Sequence, residues 1–343
     1  MHSLSKALSF PCGLNRKLTL CGVLLCSTLA PSVGQAAVVN YQWSSDSSGA
    51  WETAGNWTPA PGAVIGTSTA TRYDRVTIDK NVVVTRTGNI DFYDKGSGGT
   101  KAGTFNALAL SNGASLVVSG SLRVSSVSGA PDAAVRNVLI DTGSSLNVGG
   151  RITTGIQNSS ASNSTWSVKG TVEADSFLGQ KTTSTTFSGG FILNIDAGSF
   201  TITNTFDWGI PATGTNTGTL GQINLSNNGT FTVGSIANWA TSTSSANYVK
   251  FLDDSGVFTF GYSTLETLQE VEQFISDGYI TKSNDVMGYF HIVDTGSSWQ
   301  VSVIPEPSTY ALLAFGVGSA IFFRRKRSRD ARWIKAPSLS GRL

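Results

Sequence analysis

One stretch of this 343-residue sequence indicates the fold: Ile223-Asn-Leu-Ser-Asn-Asn-Gly229-Thr-Phe-Thr-Val233. An apolar segment leads into a turn that contains glycine, and apolar and polar residues then alternate. Alternation with a period of two places Phe231 and Val233 on one face of a β-strand and Thr232 on the other. The stretch therefore predicts two short strands joined by a turn, each with one buried face.

The same unit recurs along the chain. Its other instances occupy residues 108–118, 138–148, 166–174, 192–202, 249–260 and 292–301. The glycines of the seven units follow one another at intervals of 30, 27, 28, 31, 27 and 40 residues, and periods of about 20 to 50 residues are typical of solenoids, propellers and arrays. A second alternating strand follows in Gly120-Ser-Leu-Arg-Val124 and Gly150-Arg-Ile-Thr153. The repeat predicts an all-β fold, a right-handed parallel β-helix, with a β-sandwich as the alternative.

The long last interval is explained by an insertion at residues 263–278 with a helical pattern. Ser263 and Glu266 have the spacing of a capping box. Apolar residues recur at helical spacing and predict one buried face; they are Leu265, Leu268, Val271 and Phe274. Gly278 closes the segment, as glycine commonly does after a helix. We expect a helix that packs on the end of the solenoid and protects a strand edge.

Charge is distributed unevenly between the ends and the body. Charged residues make up 13% of the chain, against about 25% in an average soluble domain. Residues 1–36 and 305–343 hold 11 of the 24 basic residues but only two of the 22 acidic ones, so residues 37–304 carry 13 basic and 20 acidic residues and a net charge of −7. Nucleic-acid binding depends on Lys and Arg at phosphates, and we therefore expect no nucleic-acid partner.

The N-terminal residues 1–36 have the order of a secretory signal peptide. Basic residues precede an apolar run at 18–29, and small residues follow up to Ala36. We expect a signal helix here and cleavage between Ala36 and Ala37. All three cysteines lie in this segment. The body at 37–304 therefore has no cysteine for a disulfide, a nucleophile or a metal site, and His291 is its only histidine.

The C-terminal region combines three short features in order. Pro305-Glu306-Pro307 is followed by sixteen mostly apolar residues at 308–323 and by the basic run Arg324-Arg325-Lys326-Arg327. At about 1.5 Å per residue the apolar segment spans roughly 24 Å, less than the ~30 Å hydrocarbon core, which suits a temporary transmembrane helix. The basic run is expected to stay in the cytoplasm, which places the body outside.

This region closely resembles the PEP-CTERM sorting signal of Gram-negative bacteria. The resemblance implies a sorting and anchor segment at 305–329, with Pro305, Glu306 and Pro307 as the sorting motif. The basic stop would be formed by Arg324, Arg325, Lys326 and Arg327. It implies an exosortase as processing partner, an inner-membrane-anchored intermediate, and delivery to the cell surface or the extracellular matrix, often in bacteria that make exopolysaccharide. Residues 330–343 form a C-terminal extension beyond the family pattern.

Three tryptophans open the body: Trp43, Trp51 and Trp57. Their stretch looks like the opening of many secreted bacterial proteins with autotransporter-like β-helical repeats. Two interpretations remain open. The indoles either cap the first coil as an aromatic cluster or present exposed faces on which pyranose rings stack.

β-Helical lyases and glycosidases use clustered carboxylates on one face of the solenoid, which makes paired carboxylates the candidate catalytic groups here. The candidate pairs are Asp253 with Asp254, Asp91 with Asp94, and Glu173 with Asp175. Each pair fits turn or solvated-strand chemistry better, since Asp favours turns. We therefore expect no catalytic residue, no cofactor and no metal site.

These observations favour an exported structural or adhesive protein of the envelope or exopolysaccharide matrix. The alternative is a β-helix protein that binds or degrades polysaccharide. Threonine-rich stretches at 182–186, 201–205 and 213–219 raise a third possibility, an ice-binding face.

Overall fold

The structure is a computed structural model that describes residues 37–62, 65–66, 72–92, 104–126, 135–156, 164–179, 190–209, 221–239 and 247–306. All of them belong to the second of the chain's two structural units, which begins at Ala36. The predicted signal helix at 1–36, the predicted membrane helix at 308–323 and the extension at 330–343 lie outside the described residues.

The described part is built almost entirely from β-strands. In chain order they are β1 (Ala37–Trp43), β2 (Gly49–Ala50), β3 (Trp57–Thr58), β4 (Arg72–Ile78), β5 (Val83–Arg86), β6 (Ile90–Asp91), β7 (Thr104–Leu110), β8 (Ser115–Val118), β9 (Leu122–Ser126), β10 (Val135–Ile140), β11 (Ser145–Ile156), β12 (Ser164–Val168), β13 (Thr171–Gly179), β14 (Phe191–Asp196), β15 (Ser199–Asp207), β16 (Gly221–Ser226), β17 (Thr230–Ala237), β18 (Tyr248–Phe251), β19 (Val257–Gly261), β20 (Ile280–Lys282), β21 (Tyr289–Asp294) and β22 (Ser298–Ile304). One α-helix, α1 (Leu268–Ser276), and a 3-10 turn (Ala54–Asn56) complete them.

The strands form two sheets between which the chain alternates. Sheet A has the order β20-β18-β16-β14-β12-β10-β7-β4-β1-β3, and sheet B runs from β2 through β5, β8, β11, β13, β15, β17 and β19 to β22 and β21. Neighbours from β10 to β20 in sheet A pair in parallel, as do neighbours from β2 to β19 in sheet B. This is an all-β solenoid, which confirms the predicted solenoid body over the β-sandwich alternative, while its right-handedness stays a prediction.

The register of sheet B reproduces the sequence repeat. Leu116, Leu146, Val172, Phe200, Phe231 and Phe258 are successive Cα partners. Their separations of 30, 26, 28, 31 and 27 residues follow the glycine intervals closely. Strands in one sheet lie about 4.8 Å apart, so equivalent side chains of successive coils stack on one another.

Glycine at the turn between the sheets is required by close backbone approach. A β-carbon added at Gly229 would lie 2.2 Å from the carbonyl oxygen of Ile195, one coil earlier. Only a residue without a β-carbon fits at Gly229. At Gly143, the same point of an earlier repeat, an added β-carbon meets no atom within 4 Å, and a positive φ of 75° favours glycine instead.

Aromatic stacking between coils fills much of the core. The rings of Phe177 and Phe206 lie 4.3 Å apart and nearly parallel, at an interplanar angle of 4°. Those of Phe231 and Phe258 lie 5.3 Å apart at 10°. All four side chains are buried. Such stacks add to the free energy gained by burying apolar area.

The inserted helix forms, but it starts one turn later than predicted. Its capping box joins Thr267 to Glu270 instead of Ser263 to Glu266. Val271 is buried and the Phe274 ring lies 5.0 Å from that of Trp239, whereas Leu268 is 46% exposed. The shift follows from burial of Leu265, which holds the residues after Ser263 against the solenoid before the helix begins. Gly278 has a positive φ of 82° and closes the helix as expected.

The last sequence repeat, at residues 292–301, is not a further coil. Its strands form the antiparallel hairpin β21–β22, and β22 pairs antiparallel with β19, with Phe258 opposite Val301. Gly296 lies in the hairpin loop, where its amide donates to the Asp294 side chain at 2.7 Å. The sequence pattern of two strands around a glycine turn is the same in a solenoid corner and in a hairpin.

Candidate functional site: a polar groove and the sorting segment

The three tryptophans at the start of the body form a buried cluster. Trp43, Trp51 and Trp57 are at most 3% exposed. Their rings meet edge to face, with centroids 5.0 Å apart for Trp43–Trp57 and 4.9 Å for Trp51–Trp57. The Trp57 indole donates to the Trp51 carbonyl and the Trp51 indole to the Ile65 carbonyl. Of the two interpretations, burial supports the aromatic cap of the first coil and argues against sugar stacking, because the indole faces pack inside the coil.

Asp253 is occupied by turn hydrogen bonds. Its Oδ2 accepts the backbone N–H of Asn227 at 2.6 Å, and its Oδ1 accepts the backbone N–H and the hydroxyl of Ser255. Burial acts to raise the pKa of Asp253, but these hydrogen bonds outweigh it and hold the pKa below its usual value. Asp254 is exposed beside it. Asp253 thus has the turn role that its sequence favours.

The side-chain amide of Asn227 also links two successive turns. It donates to Asp196 Oδ1 at 2.5 Å while the Asn227 backbone bonds Asp253. The Asn227 amide lowers the pKa of Asp196. Lys169 lies 3.6 Å from the other oxygen of Asp196. These contacts form a polar ladder that stabilises the turns between the sheets.

Glu173 and Asp175 lie on a solvated strand surface. Glu173 accepts from Asn147 at 3.2 Å, and Asp175 accepts from Asn204 at 2.6 Å. Asp91 lies on β6, and its predicted partner Asp94 lies outside the described residues. Within the described ranges, no three His, Cys, Asp or Glu side chains come together as they would around a metal ion.

A polar groove of about 520 Å³ crosses the outer surface of sheet B. Its walls come from β6, β9, β11 and β13, and the residues that define it are Asp91, Ser121, Arg123, Arg151, Thr153 and Asp175. We call it the arginine groove. Arg151 also lines a neighbouring cavity with Thr205 and Asp207, so the depression continues toward β15.

Chain irregularities shape this groove. The register of β11 against β13 shifts between Val148 and Arg151, and that of β13 against β15 shifts between Ala174 and Phe177. Such bulges bend the strands and redirect side chains. Arginines and carboxylates then line one depression across successive coils. Guanidinium groups donate to hydroxyl and acidic groups of a ligand, and carboxylates accept from its hydroxyl groups.

Sequence reasoning did not single out Arg123 and Arg151. Both lie on the outward face of the second alternating strand of their repeats, but at different positions, because the Cα partner of Arg123 is Thr153. The shared outward face was the available signal. Their convergence on one groove depends on the bulges.

Threonines align on the same sheet over a limited distance. Thr201, Thr232 and Thr259 are successive register partners and alternate with buried phenylalanines. Glu173 precedes this column and Gln300 follows it. The stretches 182–186 and 213–219 lie outside the described residues.

The C-terminal end of the body leads directly into the sorting motif. Val303 is 3% exposed and belongs to the core, whereas Pro305 and Glu306 are exposed. Only Ile304 separates the core residue from the tripeptide. Pro307 and the basic stop Arg324-Arg325-Lys326-Arg327 lie outside the described residues.

Comparison with known families gives a match at this end of the chain. Residues 303–327 match the PEP-CTERM protein-sorting motif. The chain carries a PEP-CTERM sorting signal. The signal implies an exported protein, processing by an exosortase and a membrane-anchored intermediate. Together with the β-solenoid, it fits a PEP-CTERM protein with β-helical repeats, as the sequence predicted.

No curated protein and no solved structure matches the chain. Among the described residues, no helix combines the length and apolar composition needed to cross a membrane. Ala37 is the first residue of β1. Cleavage between Ala36 and Ala37 stays a prediction. If it occurs, the mature chain begins with β1.

Proposed function

We propose that this PEP-CTERM protein is a structural or adhesive component of the cell surface or exopolysaccharide matrix of a Gram-negative bacterium. The observation that carries the proposal is the direct junction between a repetitive solenoid and a sorting signal. A stack of parallel coils buries a continuous core without disulfides. Such a stack therefore suits a protein that is displayed outside the cell.

Cell fractionation tests this proposal. We expect the native protein in the surface or matrix fraction of an exosortase-bearing host. Replacing Pro305, Glu306 and Pro307 together by alanine should leave it in the inner membrane. Replacing Gln269 and Glu272 together by alanine, at exposed positions of α1, is the control and should not change the fraction. Recovery of the native protein from the cytoplasm would contradict the proposal.

The arginine groove supports a second function, polysaccharide binding. Its polar walls extend across four strands, and about 5 Å between strands gives a length of roughly 14 Å, enough for about three sugar rings. Arg123 and Arg151 supply planar donors, and Asp175 supplies an acceptor. This interpretation moves the sugar contacts from the buried tryptophans to the groove.

A glycan array on the purified protein tests the second function. We expect binding to acidic or hydroxyl-rich polysaccharide that is lost in the double variant Arg123→Ala/Arg151→Ala. Lys250→Ala removes a cation from sheet A and is the control that should bind as the native protein does. Release of reducing ends from the bound glycans would instead favour the degrading alternative.

A further inference from the structure

Two large apolar side chains are strongly exposed near the end of the body. Met287 is 76% exposed and Tyr289 is 56% exposed, more than the other exposed large hydrophobic residues of the described part. They flank Gly288 immediately before and within β21. We call residues 287–289 the apolar strip.

The apolar strip lies against the point where the chain leaves the body. Tyr289 is the Cα partner of Ile304 in the hairpin. A β-carbon added at Gly288 would lie 2.2 Å from the Ile304 carbonyl oxygen and 3.1 Å from the Pro305 α-carbon. The strip and the sorting segment therefore start from the same place on the surface.

The length of chain after Pro305 limits how far the strip can lie from a membrane. The apolar segment begins at Ser308, three residues later, and three residues span at most about 10 Å. The headgroup layer on each side of the hydrocarbon core is roughly 6 Å thick. While the anchor is inserted, the strip is held in or next to this layer.

We infer that Met287 and Tyr289 contact the lipid headgroup region while the protein is anchored. The inference rests on the proposed membrane-anchored sorting route. Tyrosine is enriched at membrane interfaces because its ring is apolar and its hydroxyl is polar. Around the strip, the carboxylates of Asp285 and Glu306 outnumber the one ammonium group of Lys282, which donates to the Val286 carbonyl, so attraction to anionic lipid is disfavoured. The ligand is therefore a zwitterionic phospholipid surface, contacted through apolar and aromatic groups.

Depth-dependent quenching tests the inference on the anchored protein. The chain is expressed without exosortase, with Cys12, Cys21 and Cys26 replaced by serine, and is reconstituted in zwitterionic vesicles that contain spin-labelled lipid. A fluorophore is attached to the single cysteine of Met287→Cys or of Tyr289→Cys. The matched control is Val83→Cys, an exposed apolar position on β5. We expect quenching at 287 and 289 and none at 83.

A second variant excludes insertion driven by the fluorophore itself. The label is moved to Asn284→Cys, at an exposed position. In this labelled protein Met287→Asp is combined with Tyr289→Asp. Quenching at 284 should be lost in this double variant and retained in Val83→Asp. Two results would overturn this inference and leave the anchored intermediate standing. One is protein that floats with the vesicles but is not quenched at 287 or 289. The other is quenching at 284 that persists in the double variant. Protein that does not float would overturn the anchored intermediate as well.

Discussion

Gly288 packs against the carbonyl group of Ile304 so closely that a β-carbon at position 288 would lie 2.2 Å from that oxygen. The contact joins the start of β21 to the end of β22, the last strand before the sorting motif. The backbone of Gly288 also has a φ of 134°, which side-chain-bearing residues rarely adopt. The geometry of the chain exit thus depends on one glycine.

Gly288→Ala should destabilise the protein by about 2–4 kcal/mol, because steric overlap adds to backbone strain. Gly296→Ala is the matched control: Gly296 also has a positive φ, 88°, but a β-carbon there meets no atom within 4 Å. Its cost should be only about 1–2 kcal/mol. Urea unfolding followed by tryptophan fluorescence measures both variants, and equal costs would contradict the proposed overlap.

Phe231→Ala should cost roughly 3–5 kcal/mol, as truncation of a buried aromatic side chain does. Phe231 is fully buried and stacks on Phe258 of the next coil. Val83→Ala, at a position 43% exposed, should change the free energy of unfolding by less than about 0.5 kcal/mol. A small effect of Phe231→Ala in thermal unfolding would show that the aromatic stack contributes little to the solenoid.

Alanine variants at the two candidate helix caps, Thr267 and Ser263, should differ in how much stability they lose. Thr267 accepts the Glu270 N–H, so Thr267→Ala should cost about 1 kcal/mol. Ser263 makes a 3.4 Å contact with the Gly234 carbonyl outside the helix, so Ser263→Ala should cost less. Hydrogen exchange of the α1 amides measures both changes. A larger effect at Ser263 would restore the cap predicted from the sequence.

Asn227→Gly should raise the pKa of Asp196 toward its ordinary value of 3.8, because the Asn227 amide is the largest cause of its lowering. Asn227 has a φ of 53°, which glycine adopts readily. A lowered folded-state pKa contributes stability above the unfolded pKa, and this contribution is lost as the pH falls through the folded value. The native protein should therefore exceed Asn227→Gly in stability at neutral pH and converge with it in acid.

Asn228→Gly is the control for this pH dependence. Asn228 also has a positive φ, 66°, and bonds Ser255 through its backbone N–H, which glycine retains. The pKa of Asp196 should not change in this variant. Carbon-13 NMR titration of the Asp196 carboxyl group measures both variants. The same pKa in both would show that the Asn227 side chain does not set it.

Local pattern was enough to predict the solenoid, because glycine spacing and alternation follow from contacts between neighbouring coils. It failed at residues 292–301, since strand, turn and strand have the same composition in a corner and a hairpin. The antiparallel pairing of β22 with β19 distinguishes the hairpin from a solenoid corner, where the strands would pair in parallel. That pairing joins residues about 40 positions apart, such as Phe258 and Val301.

The candidate site was less predictable for a similar reason. An exposed and a buried tryptophan look alike in sequence, and the Trp51 indole finds its hydrogen-bond partner, the Ile65 carbonyl, 14 residues away. The arginine groove depends on register shifts that place Arg151 near Asp175 across successive coils. The sorting motif was predictable because its three features are contiguous and are recognised as a linear signal.

The ends of the mature protein test the account most directly. Mass spectrometry of surface protein from an exosortase-bearing host should find an N-terminus at Ala37 and a C-terminus near Pro305-Glu306-Pro307. Exposed extended segments favour such cleavage, and the two prolines keep this one out of a helix. Peptides that contain Trp333 or residues 338–343 on the mature surface form would contradict the account, because the signal would then act only as a permanent anchor.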